Sequence, residues 1–320
     1  MKKLINKKGY NFKDYIAYKK LKLLLPKSLR HFAQLYPTMK FKRNGDRTFS
    51  IFHKENLICK SQPWEKLKQL LQGNDLFQIG SGPSIKNQDL NKIKNKNVIF
   101  VNGAYYLNAQ IQFEKEIVFV VMDQYVVTDH YDMVASALKS KSHCVLTPET
   151  IRLICDKDPA LLANGNIYVI ESIFNGFNTA LTSNELLEYA KINERYIHVS
   201  GEKLQDDRTI GFSLDPYLGT FTMATVMYCA LQLAFYCEPK NIYLLGLDIG
   251  FSEAPRFFET KKNTKGSNLL DYYDVEIKPS FSLASIVAKD KKINLFNLSP
   301  ISKLPNNIIL HAAYDDIIDE

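Results

Sequence analysis

Residues 80–84, Gly-Ser-Gly-Pro-Ser, follow an apolar strand carrying Leu76, Phe77 and Ile79, and lead through a short polar helix into a second apolar strand over 98–101 that ends at Asn102. Glycines at 80 and 82 let the main chain approach a ligand without interference from a Cβ, while Ser84 can cap the following helix and offer a hydroxyl. Strand, small-residue loop, helix and strand is the arrangement by which open α/β sheets bind nucleotides at the carboxyl ends of their strands. Taken alone, G-x-G-P-S is a weak signal. Its company strengthens it: Asp123 ends the strand IVFVVMD, Gly219 and Thr220 open a long helical stretch, and Asp248 ends the strand IYLLGLD. With Asn102, these polar residues are expected on one edge of a sheet, where a nucleotide and a sugar would meet. Asp248 reads equally as a loop-capping carboxylate.

The elements that must position these residues are legible as alternating strands and helices. Strand candidates recur at 117–121, 144–146, 167–170, 242–247 and 293–298, separated by helical or loop segments. That alternation predicts an α/β fold, a Rossmann-like, doubly wound, mainly parallel sheet. Residues 48–61 alternate apolar and polar around Lys54-Glu55-Asn56, predicting a hairpin, and 63–71 a short helix. Residues 219–236 form the longest helix candidate, apolar on nearly every face as a helix buried against a sheet would be. Residues 261–268, KKNTKGSN, read as a mobile polar loop. The expected organisation is a basic extension with hairpin and short helix over 1–72, a nucleotide-binding domain over 73–250, and a lid loop, C-terminal strand and tail over 251–320 that complete the domain.

Composition narrows the class. The chain has 320 residues, 46% of them hydrophobic, enough for a sizeable core. No apolar run approaches the roughly 18 residues needed to span a bilayer, and no signal-peptide core is visible, so a cytoplasmic location is expected. Five cysteines without C-x-x-C spacing read as reduced thiols, and six scattered histidines give no zinc pattern, so no metal site is expected. Residues 1–47 hold fourteen Lys or Arg against two Asp, a net +12 in a chain of net +7. Aromatic and aliphatic residues such as Tyr10, Phe12, Tyr15, Ile16 and Leu21 interleave with those lysines, which suits a segment lying on an anionic membrane surface or a solvated basic helix packed on the domain. No nucleic-acid recognition motif accompanies the charge.

In its order of segments the chain resembles the bacterial family 42 sialyltransferases and the flagellin-modifying proteins of the motility accessory factor type. The matching pieces are IGSGPSI, VNGAYYL with Asn102, VVMDQY with Asp123, the helix led by Gly219 and Thr220, NIYLLGLDIGF with Asp248, and INLFNLSPISKL, covering about residues 75–304. The resemblance implies a metal-independent glycosyltransferase that needs no cofactor and uses a CMP-activated sugar acid, with Gly80, Ser81, Gly82, Pro83, Ser84 and Asn102 around the cytidine nucleotide. This chain departs from the pattern in three places. Ser81 stands where those sialyltransferases have asparagine, and Gly250, Phe251, Phe257 and Phe258 stand where phosphate-gripping tyrosines are expected. The position of their catalytic histidine falls near Val275, in DYYDVEIKP, with no histidine. Asp274 or Glu276 is then the candidate base, a partly desolvated carboxylate being competent for that task, with His311 and His130 as alternatives. Arg256, Lys261, Lys262 or Thr220 are candidates to neutralise a departing phosphate.

The expected activity is transfer of a sialic-acid-like or other keto-sugar acid, 3-deoxy-octulosonic acid included, from a CMP-sugar to a cell-surface glycan. The partners are a nucleotide-sugar donor, a lipid-linked acceptor and an anionic inner-membrane surface touched by residues 1–47, with no nucleic acid. Two other readings remain open at this stage: a nucleotide-dependent pyrophosphokinase or phosphotransferase on the same sheet, which would need clustered carboxylates and a divalent metal, and a non-catalytic partner in glycan assembly.

Overall fold

The computed structural model describes residues 37–318 except 141, 174–182, 205–208, 251–254, 260–263, 265 and 267, together with 15, 16, 19, 20 and 23. Its centre is an eight-stranded sheet built from β4 (Asp75–Ile79), β5 (Asn97–Val101), β6 (Ile117–Val121), β7 (His143–Leu146), β8 (Asn166–Val169), β11 (Asn241–Leu245), β12 (Asn294–Asn297) and β13 (Leu310–His311). The order across the sheet is β13-β12-β11-β4-β5-β6-β7-β8, and every pairing is parallel.

Parallel strands covered on both faces need near-continuous apolar runs, which β5, β6, β7 and β11 contain and which β4 interrupts once, at the buried Gln78, whose Nε2 donates to the Met227 carbonyl at 2.7 Å. Successive side chains point to opposite faces. Leu76, Ile99, Val118, Val120 and Leu244 enter one core, and Phe77, Phe100, Phe119, Val121 and Leu245 the other. The first face is covered by α1 (Trp64–Leu71), α7 (Ser183–Ile192), α8 (Val226–Tyr236) and α9 (Lys278–Lys291). On the second lie α2 (Tyr106–Ile111), α3 (Gln124–Asp129), α4 (Tyr131–Lys139), α5 (Pro148–Lys157), α6 (Ala160–Ala163) and α10 (Tyr314–Ile318). The sheet is therefore doubly wound. Residues 294–297 and 310–311 belong to the same sheet as β4, so the C-terminal region completes it.

Several sequence expectations change. The long helix does not begin at Gly219: Met223 and Ala224 adopt left-handed φ values of 37° and 58°, so helical turns cannot form before Thr225, whose hydroxyl accepts a hydrogen bond from the Met227 N–H at 3.3 Å. The polar stretch after residue 82 forms two 3₁₀ turns, Pro83–Asn87 and Leu90–Ile93, in place of an α-helix. The antiparallel pair β9 (Ile197–Lys203) and β10 (Thr209–Ser213) has no counterpart in the sequence reading.

The hairpin expected over 48–61 is present as β2 (Phe49–His53) and β3 (Asn56–Lys60), joined by Lys54 and Glu55 with φ of 48° and 70°. A further strand, β1 (Met39–Arg43), pairs with β2. This small sheet is fastened by charge to both of the others: Arg43 donates to the buried Glu171, just past β8, at 2.6 Å, and Arg47 pairs with the buried Asp215, just past β10. Both guanidinium groups lie over the Tyr217 ring, at 4.9 and 5.0 Å. Two of the fourteen N-terminal cations thus serve the fold. Residues 1–36, apart from the five named above, lie outside the described residues, and so does most of the proposed membrane-binding segment.

Gln232, on α8 and fully buried, joins β10 of the strand pair to α8 and to the loop before it. Its Oε1 accepts from the Ser213 and Phe221 N–H groups at 3.0 and 2.9 Å, and its Nε2 donates to the Phe221 and Tyr228 carbonyls at 2.7 and 3.0 Å. Gln232→Leu would leave two N–H groups without partners inside the core. The expected cost is about 2–4 kcal/mol of unfolding free energy, read as a lower urea midpoint at unchanged m-value.

Candidate functional site

A cleft of about 710 Å³ opens at the carboxyl ends of β4, β5, β6 and β11. β4 and β11 are neighbours, yet the chain leaves β4 toward β5 on one side and β11 toward β12 on the other. Loops diverging from adjacent strands leave a crevice between them, so the cleft occupies the switch point of the sheet. Gly80, Ser81, Gly82, Pro83, Asn102, Asp123, Asp248, Arg256 and Glu276 all line it.

The loop after β4 is held by the loop after β11. The Gly80 N–H donates to the Leu245 carbonyl at 2.8 Å and that of Gly82 to the Gly246 carbonyl at 3.1 Å. A Cβ on Gly82 would stand 2.3 Å from an Asp248 carboxylate oxygen and 2.6 Å from the Gly246 carbonyl oxygen, so the glycine is required by the neighbouring loop before any ligand arrives. The Asp248 carboxylate accepts from the N–H and the hydroxyl of Ser84, both at 2.7 Å. Asp248 is therefore a loop-capping carboxylate that also faces the cleft. Ser84 is committed to it and is buried out of the lining, so its hydroxyl neither caps a helix nor faces the cleft. Burial raises the Asp248 carboxyl above its ordinary range, and the two Ser84 hydrogen bonds oppose that rise.

Asn102 follows β5 with φ of 51°, a left-handed conformation that asparagine tolerates better than most residues. The turn aims its carboxamide at Asp123, to which Nδ2 donates at 2.5 Å, while Oδ1 accepts from the Met122 N–H at 3.4 Å. Burial raises the Asp123 carboxyl, opposed by the Asn102 hydrogen bond and the Arg256 charge. Arg256 is itself held: Nη1 donates to Glu259 at 2.7 Å, its N–H donates to the same carboxylate at 3.0 Å, and its guanidinium lies 5.6 Å from the centre of the Tyr125 ring. Next to it, the Phe257 N–H donates to the Ser81 carbonyl at 3.2 Å. The Phe258 ring occupies the space a Gly103 side chain would take, against Tyr106 and His130.

Two further walls complete the cleft. Thr222, Ala224, Thr225 and Val226 bring the first turn of α8, the positive end of its dipole, to the lining, with the Met227 and Tyr228 N–H groups capped by the Thr225 hydroxyl and carbonyl at 3.3 and 3.1 Å. Residues 266–276 contribute Gly266, Asn268, Leu269, Tyr272 and Glu276. Glu276 lies in a π-helical turn, Tyr273–Ile277, in which the N–H groups of both Glu276 and Ile277 donate to the Tyr272 carbonyl, at 2.9 and 3.0 Å. The turn directs the Glu276 side chain inward, and it is 4% exposed.

The remaining sequence candidates lie elsewhere. Asp274 is exposed and outside the lining. Gly219 and Thr220 sit behind the cleft wall, where the Thr220 N–H and hydroxyl both donate to the Glu171 carbonyl, at 2.8 and 3.2 Å. His311 belongs to the edge strand β13, with Nε2 3.3 Å from the Asn297 Nδ2, and His130 bonds the Tyr106 hydroxyl at 3.0 Å through Nδ1. Lys261 and Lys262 lie outside the described residues. Tyr125, Thr222, Thr225, Asn268 and Tyr272 line the cleft without having been singled out from the sequence. The four-residue spacing of Asn268, Tyr272 and Glu276 was the available signal for two of them. Among the described residues, no three His, Cys, Asp or Glu side chains gather as a metal set, and no helix is long and apolar enough to cross a membrane.

A family model described as 3-deoxy-D-manno-octulosonic acid transferase WaaZ matches residues 60–314. A probable 3-deoxy-manno-octulosonic acid transferase of Escherichia coli (strain K12) is 26% identical over 255 residues, 77% of this chain and 85% of that protein. Its namesake in Salmonella typhimurium (strain LT2) is 23% identical over 243 residues, 75% of this chain and 87% of that protein. Among solved structures, the sialyltransferase CstII from Campylobacter jejuni in complex with cytidine-5'-monophosphate aligns with a TM-score of 0.38 at 18% identity, over 74% of this chain and 84% of that one. The same sialyltransferase with a trisaccharide acceptor and CMP gives 0.37 at 18% identity, over 75% and 89%. Since the matched span 60–314 contains all eight strands of the sheet and every residue that lines the cleft, the chain belongs to the 3-deoxy-D-manno-octulosonic acid transferase WaaZ family and is a glycosyltransferase.

Proposed function

We propose that this cleft transfers a keto-sugar acid of the 3-deoxy-octulosonic type from its CMP-activated form to a glycan of the lipopolysaccharide kind. The supporting observation is the meeting, in one cleft at the switch point, of a main-chain loop, a helix N-terminus, a held arginine and a buried carboxylate. The family and the two curated relatives carry the name of that sugar acid. In this reading the loop of residues 80–83 positions the nucleotide, and Asn102 with Asp123 orients its ribose, its base or the sugar.

The acceptor hydroxyl gives its proton to the Glu276 carboxylate as its oxygen bonds to the anomeric carbon. The bond from that carbon to the phosphate oxygen breaks, and CMP leaves with the electron pair. Negative charge grows on the departing phosphate in an oxocarbenium-like transition state. The positive end of the α8 dipole and the Arg256 guanidinium stabilise that charge without reorganising, because both are already fixed. No metal is required for this balance of charge. The N-terminal +12 segment would keep the enzyme at the inner leaflet, where a lipid-linked acceptor is met.

Thermal-shift measurements with CMP and CTP against UDP, GDP and ATP test the reading. A ligand that prefers the native state stabilises it by about 2.7 kcal/mol at a hundred times its Kd. CMP is expected to raise Tm at millimolar concentration and to do so equally in chelator. A Tm raised equally by all five nucleotides, or by none, would overturn the assignment.

A further inference from the structure

Asn268, Tyr272 and Glu276 are spaced four residues apart, and all three side chains line the cleft. The backbone turns between them are closed by the Asp271 N–H to the Asn268 carbonyl at 3.1 Å and by the Glu276 N–H to the Tyr272 carbonyl at 2.9 Å. A turn over residues 268–272 and the π turn after it thus bring an amide, an aromatic ring and a carboxylate in sequence to one wall of the cleft. Exposure falls along it, since Tyr272 is 43% exposed and Glu276 4%. Among the described residues the Tyr272 side chain makes no hydrogen bond or ring contact, whereas Tyr106, Tyr125, Tyr217 and Tyr236 are each engaged by a ring or a cation. Tyr272 differs from the other exposed apolar side chains in lining the cleft, where its ring offers an uncovered flat face and its hydroxyl a polar tip.

We infer that this ladder is the acceptor subsite and that its ligand is a pyranose. The C–H face of a sugar ring is apolar and flat enough to lie on an aromatic ring, while its rim of hydroxyls needs both donors and acceptors. The Tyr272 ring takes the first, and the Asn268 carboxamide, which carries both functions, takes the second. With its ring on Tyr272, the sugar has a hydroxyl directed inward at Glu276, in the π turn that follows on the same wall of the cleft. This wall is distinct from the one formed by residues 80–83, Asn102 and Asp123, so acceptor and donor enter on different elements. The inference rests on the proposed donor reading.

The test is steady-state transfer from a CMP-activated 3-deoxy-octulosonic acid to deacylated lipopolysaccharide core oligosaccharide, with CMP affinity measured separately by calorimetry. Tyr272→Ala and Asn268→Ala are each expected to raise the oligosaccharide KM roughly tenfold or more, with CMP affinity kept within about twofold. Tyr272→Phe, which retains the ring, is expected to restore the KM. An unchanged KM in Tyr272→Ala, or a loss of CMP affinity in step with the loss of transfer, would overturn the acceptor subsite while leaving the donor reading in place. Failure of the unsubstituted enzyme to bind CMP would overturn the donor reading, and this inference with it. Retained CMP affinity also reports that the variants fold.

Discussion

Glu276→Gln is expected to lower the rate of transfer by about a hundredfold to ten-thousandfold while leaving CMP affinity within about twofold. Glutamine keeps the volume of the buried side chain and its capacity to accept and donate hydrogen bonds, so the π turn Tyr273–Ile277 and the start of α9 are retained. What it removes is the ability to take a proton at the moment the acceptor oxygen becomes a nucleophile. Asp274→Asn is the matched comparison. Its carboxylate is exposed two residues away and lies outside the cleft, and an exposed substitution of this kind changes little. Rates measured at saturating donor and acceptor, with calorimetry for CMP, separate the two. A Glu276→Gln enzyme with more than a tenth of the original rate would assign the proton to another group.

Gly82→Ala carries the second large effect, on binding. The added methyl would sit 2.3 Å from Asp248 Oδ2, 2.5 Å from its Cγ and 2.6 Å from the Gly246 carbonyl oxygen. Neither the carbonyl nor a carboxylate held by two hydrogen bonds to Ser84 can withdraw without parting the loops after β4 and β11. Those loops are the two sides of the switch-point crevice. The expected result is a Kd for CMP weakened about a hundredfold, with about 1–3 kcal/mol of stability lost to the forced repacking. Gly45→Ala is the control, because a Cβ there meets nothing within 4 Å. Unchanged CMP affinity in folded Gly82→Ala protein would move the nucleotide away from residues 80–83.

The glycines also illustrate how far a sequence argument reaches. Small residues after an apolar strand correctly mark a place where the main chain is approached closely. The approaching group is the neighbouring loop at Gly246 and Asp248, 164 residues beyond Gly82 and Ser84 in sequence, and nothing local to residues 80–84 distinguishes a loop from a ligand. Asp248 shows the same limit: a loop-capping carboxylate is one of two readings equally open from sequence, and only the fold makes Ser84 its partner. Asn102 and Asp123 were placed together because both end strands of one parallel sheet, and they meet at 2.5 Å for that reason.

By itself the sequence determined the alternation of apolar strands with helices, hence a parallel sheet with loops gathered at one edge, and the polar residues at its strand ends. These follow from hydrophobic periodicity and local turn chemistry, which act within a few residues. The tertiary structure alone decided the rest. It starts α8 at Thr225 because Met223 and Ala224 are left-handed, sends Thr220 to the Glu171 carbonyl, carries His311 to the sheet edge, and turns Glu276 inward while Asp274 stays in solvent. Each of those outcomes depends on backbone geometry or on contacts between segments far apart in the chain, where a residue's own type and near neighbours leave the direction of its side chain undetermined.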